Sequence, residues 1–87
     1  MPQHLIIRYE KAYINATKGR FIAVENGLFQ HLGGFIIIQA ECEFQFGNKE
    51  VSKELFTDAY HLCRVIGDKV NEKIVKEAMA DYFQMEC

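Results

Sequence analysis

Proline occurs once in these 87 residues and glycine only six times, too sparsely for a flexible linker or a low-complexity tract. No internal repeat is evident. The spacings C-x-x-C and H-x-x-x-H are both missing, so no zinc-type ligand set can be read from the chain, and no motif implies a cofactor. There is no cleavable N-terminal signal and no run long enough to span a bilayer, and the three cysteines are an odd count that fits a reducing compartment. These absences predict a cytoplasmic protein that does not enter a membrane. A dominant charge of one sign is lacking as well. The formal net charge is -2 and the sequence pI about 5.9, which gives no overall field toward nucleic acid or acidic lipid.

What is present is apolar. Hydrophobic residues make up 49% and aromatics 13%, with seven Phe and four Tyr, enough for a packed core and against disorder. A single domain of this length buries only about 60–65% of its unfolded surface, so a partner subunit would help to stabilise it. Residues 1–40 hold Arg8, Lys11, Lys18 and Arg20 against Glu10 and Glu25, while residues 41–87 hold six basic and ten acidic groups. That unevenness reads as two solvated faces, with head-to-tail docking as the alternative.

From Phe35 to Phe46 the chain alternates: Ile36, Ile38, Ala40, Cys42, Phe44 and Phe46 fall on one side, Gln39, Glu41, Glu43 and Gln45 on the other. A period of two predicts a half-buried strand. His4 to Tyr9 alternates likewise and predicts a first strand running toward Ile14, with Ala16 to Gly19 as a turn and Arg20 to Glu25 as the returning strand. Asn26-Gly27 suits a type I′ turn because both residues tolerate positive φ. Leu28 to Leu32 would then pair back, and Gly33-Gly34 would release the chain into the long strand. A competing reading makes Lys18 to Leu32 a helix capped by Gly33, since Phe21, Val24, Leu28 and Leu32 recur at helical spacing. Gly19, Asn26 and Gly27 weigh against it.

After Gly47-Asn48 the period becomes helical. Leu55, Phe56, Ala59, Leu62, Cys63 and Ile66 form one stripe, with Asn48 or Ser52 as N-cap and Gly67 as terminator. Asp68 can cap a second helix with apolar Val70, Ile74, Val75, Ala78, Met79, Tyr82 and Phe83, on which Glu72 and Lys76 form an i,i+4 pair. The predicted fold class is therefore α+β: an antiparallel β-meander of up to four strands followed by two antiparallel helices packed on one face of the sheet.

Chemistry is thinly represented. Asp58 and His61 are three residues apart on a predicted helix and could orient a general base, but no nucleophile accompanies them, and Ser52, the only serine, sits on no nucleophile elbow. Glu41 and Glu43 share the polar side of the long strand, where they solubilise it or approach a ligand together. Cys42 and Cys63 read as small core residues and Cys87 as exposed. Arg8, Lys11, Lys18 and Arg20 interleave with Tyr9, Tyr13 and Phe21, the raw material of a single-stranded nucleic-acid platform. Four cations diluted by two acids make a weak footprint, so nucleic acid stays an alternative only.

Met1-Pro2 followed by a predicted strand resembles the start of the tautomerase family. The resemblance covers Pro2 and that strand, and it implies a freed N-terminal proline acting as general base, with Arg8 and Arg20 as conceivable carboxylate clamps. Strands followed by two helices are also similar in order to some small phage-encoded inhibitors of bacterial defence systems, a likeness of topology alone. The composition itself points to a non-enzymatic protein-binding module: an inhibitor, adaptor or subunit. Phe35 and Ile37 on the polar side of the strand, with Val75, Met79 and Phe83 widening the last helix, offer more apolar surface than one small core needs, and a protein partner or a second copy in a homodimer would cover it.

Overall fold

The computed structural model describes residues 3–84 and contains four helices in succession: α1 (Gln3–Glu25), α2 (Phe29–Gln45), α3 (Lys49–Ile66) and α4 (Lys69–Phe83). No strand occurs among the described residues. The α+β expectation is corrected: the segments read as a β-meander are two helices, and the protein is an all-helical bundle over those residues.

The long alternating segment misleads for a physical reason. α2 is clasped on two sides. One row of its side chains meets α1, with Phe35 against Gly19, Gln39 bonded to Thr17 and Arg20, and Phe46 edge-on to Tyr13. A second row meets α3 and α4, with Ile36, Ile37 and Ala40 in the core and Phe44 stacked on Tyr82. A helix buried on two faces carries apolar residues at most positions, so its 3.6-residue signal blurs and an accidental period of two stands out. Tertiary burial then overrides the strand preference of the isoleucines and phenylalanines.

The turn signals were real but served helices. Gly27 lies at φ 67°; its N–H donates to Val24 O at 3.3 Å and that of Leu28 to Ala23 O at 2.8 Å. This Schellman ending needs the same left-handed backbone as a type I′ hairpin, so Asn26-Gly27 closes α1 instead of turning a strand. Gly47 and Gly67 end α2 and α3 in the same left-handed region. α1 also runs without a break through Gly19, and the helix read as Lys18 to Leu32 ends instead at Glu25. The absent side chain of Gly19 has its own use: a Cβ there would sit 2.5 Å from the Phe35 ring, so the glycine lets α1 approach α2 closely.

The C-terminal half agrees with its sequence. α3 ends at Gly67, Asp68 caps α4 by accepting from the Asn71 N–H at 3.1 Å, and Lys76 lies 3.6 Å from Glu72. Asn48 occupies the α3 N-cap position, whereas Ser52 is fully buried and donates to the Ala40 carbonyl at 2.7 Å, tying α3 to α2.

The helices form a slab of 37 × 32 × 19 Å. Its core comes from three of them: Ile36, Ile37 and Ala40 of α2, Phe56 and Ala59 of α3, and Val75, Ala78 and Met79 of α4. α1 contributes nothing to that cluster. Its backbone lies close to that of α2 alone, and it fully buries only Ala16 and Ala23.

Candidate functional site

Successive helices run in opposite directions, so the α1–α2 and α3–α4 turns lie at one end of the slab. The contacts confirm it: a Cβ on Gly33, near the start of α2, would meet Cys63 Sγ at 2.9 Å and Asp68 Oδ2 at 3.9 Å. This end is apolar. Phe21, Ile22, Val24, Leu28 and Phe29 surround the first turn, and Val65, Ile66, Val70 and Ile74 the second, all of them exposed. They are nine of the thirteen exposed large apolar residues among those described. At the opposite end, Val51 beside the α2–α3 turn is the one exposed large apolar side chain within a turn's length of the connection.

Val65 keeps 83% and Val70 73% of its surface in water. Large apolar side chains gathered in this way mark an interaction surface, whereas singly scattered ones need no explanation. A shallow apolar groove of about 230 Å³ opens beside it between Gly19, Ile22, Leu28, His31 and Phe35. Arg64, Lys69 and Lys73 stand exposed around the second turn and Glu25 at the first, with Asp68 and Glu72 half-buried, so the rim carries both signs.

The residues singled out from the sequence are placed differently. Ile37, Val75 and Met79 are buried in the core, and Phe35 and Phe83 are partly buried. Phe83 packs edge-on to Phe44 and Phe56. These five therefore hold the chain together and leave little for a partner to touch. Glu41 and Glu43, two residues apart on a helix, point about 200° away from each other and are used separately. Glu41 accepts from the Tyr82 hydroxyl at 2.5 Å, and Glu43 from Asn48 Nδ2 at 3.2 Å.

Of the four N-terminal cations, Arg8, Lys11 and Lys18 are exposed on one side of α1, but Arg20 lies across the helix and donates to Gln39 Oε1 at 2.8 Å. Gln39 in turn donates to Thr17 Oγ1 at 3.0 Å, so Arg20 is part of the α1–α2 seam. Arg8 and Arg20 stand about 18 Å apart along α1 and do not converge on one carboxylate. Pro2 lies outside the described residues, as does Cys87; the segment after Pro2 is helical, which removes the strand on which the tautomerase resemblance rested. The topological likeness to phage-encoded inhibitors falls with the meander.

Asp58 and His61 are both exposed on α3, and the groove beside them, lined by Glu50, Lys53, Glu54, Thr57 and Asp58, has only one helix for a wall. No group of three or more His, Cys, Asp or Glu among the described residues could hold a metal ion, and no helix among them is long and apolar enough to cross a membrane. Burial pushes the Cys42 and Cys63 thiols up, with nearby carboxylates adding to it, so both are poor nucleophiles. No family model matches the chain, and neither the curated proteins nor the solved structures contain a match to it.

The apolar end is not legible in the sequence because its members are split between two distant segments. A signal existed: Phe21, Ile22, Val24, Leu28 and Phe29 crowd both sides of Asn26-Gly27, where a solvated turn is normally polar.

Proposed function

We propose that the protein is a non-enzymatic binding module that docks another protein on the apolar end formed by the α1–α2 and α3–α4 turns. One observation carries the reading: among the described residues, nine of the thirteen exposed large apolar side chains gather at this end, against Ile7 and Val51 at the other. Burying such side chains stabilises a complex by about 25 cal/mol per Å² before the costs of association.

The test is retrieval of a partner from the cells of origin by immobilised protein. Paired Val65→Glu and Val70→Glu should abolish retrieval while leaving helical circular dichroism intact, and Val51→Glu at the far end should not. Equal retrieval by the paired variant, or none by the parent chain, overturns the proposal.

A further inference from the structure

α1 has a second unpartnered feature, which shares only Phe21 with the apolar end. Ile7, Ile14 and Phe21 recur every seven residues and are 44%, 52% and 66% exposed. At about 100° per residue they lie within roughly 40° of one another and about 160° from the buried Ala16 and Ala23. The helix thus carries one row of small residues toward α2 and, on its opposite side, a row of large apolar residues toward water. A helix apolar on opposite faces is normally covered on both, yet the outer row stays exposed while the inner one packs on α2.

We infer that this outer row of α1 pairs with the same row of a second copy, making a two-fold homodimer in which the two α1 helices run parallel. The flanking charges favour a copy of the same chain over a partner of one charge. Glu10 borders the row on one side and Lys11 and Lys18 on the other, all exposed. In a parallel pair, Glu10 of each copy comes level with Lys11 of the other, giving two opposite-charge contacts against one like-charge contact where Glu25, in line with the row, meets its own counterpart. An antiparallel pair would set Lys11 beside Lys18 of the second copy, a like-charge contact. The 23 residues of α1 reach about 34 Å, which puts the buried area at the low end of stable interfaces. Parallel pairing also turns both apolar ends to the same side of the dimer.

Sedimentation equilibrium from low to high micromolar concentration tests this, using the full chain with Cys87→Ser. The parent should pass from monomer to dimer. Ile14→Glu should remain monomeric at every concentration with unchanged helical circular dichroism, while Val70→Glu at the apolar end should dimerise as the parent does. Ile7→Cys should form a disulfide-linked dimer on mild oxidation, because residue 7 meets its own counterpart only in the parallel pair. A parent that stays monomeric throughout, an Ile14→Glu chain that still dimerises, or a dimer in which Ile7→Cys does not cross-link overturns the proposal. Loss of the dimer leaves the docking role of the apolar end standing, since Val65 and Val70 take no part in it.

Discussion

The Tyr82 hydroxyl donates to the Glu41 carboxylate across 2.5 Å, which fastens the last turns of α4 to α2. Burial, then this bond, pushes Tyr82 up from its ordinary value near 10 to about 12. The protonated phenol is therefore the form the fold favours. Its contribution is complete below pH 10 and is lost as pH rises toward 12. The thermal midpoint should accordingly fall over that interval, and more steeply in the parent chain than in Tyr82→Phe. At neutral pH that variant should be less stable by about 1–2 kcal/mol, because Glu41 loses its donor.

Gly33 faces Cys63 so closely that a Cβ would stand 2.9 Å from its sulfur, and Cys63 is fully buried. Gly33→Ala should therefore lower the urea midpoint, by about 1–3 kcal/mol of overpacking set against a helix-propensity gain of about 1 kcal/mol. In a Cys63→Ala background the obstruction is gone, and the same substitution should become neutral or stabilising. Additive effects in the two backgrounds would show that the contact is not felt.

Cys42 and Cys63 are buried free thiols whose ionisation is disfavoured by burial and by neighbouring carboxylates. Peptide mapping after iodoacetamide treatment at pH 8 should find both unmodified in the folded protein over a period that labels them fully in urea. Rapid labelling of either without denaturant would contradict its placement.

α1 adds no side chain to the core cluster and should be the first element to open. Amide hydrogen exchange in dilute solution should protect residues of α3 and the middle of α2 more than those of α1. Raising the protein concentration should slow exchange in α1 selectively as its outer row becomes covered.

Legibility in the sequence followed burial geometry. α3 and α4 each present one apolar stripe to the core, so their period, the Gly67 terminator and the Asp68 cap are legible, although Ile66, Val70 and Ile74, which the stripes also take in, are exposed. α2 is gripped from two sides, and α1 is apolar on opposite faces; in both, the helical period is diluted and Ile, Phe and Tyr simulate strands. Gly27 was recognised as a residue of positive φ, but that conformation ends helices and turns hairpins alike, so only the flanking elements decide between them. The site was less legible still. Ile37, Val75 and Met79 look surplus when the interior is imagined around a sheet, whereas three helices wrap them completely. The true surplus at Phe21, Phe29, Val65 and Val70 unites only once α1–α2 and α3–α4 are brought to one end.

A photo-cross-linking scan in intact cells tests the central claim most directly, with the reactive side chain placed in turn at Phe29, Val65, Val70 and Val51. The three positions at the apolar end should yield one adduct of common mass, different from twice that of the chain, and Val51 should yield none. Adducts confined to Val51, or none at any position, would contradict it.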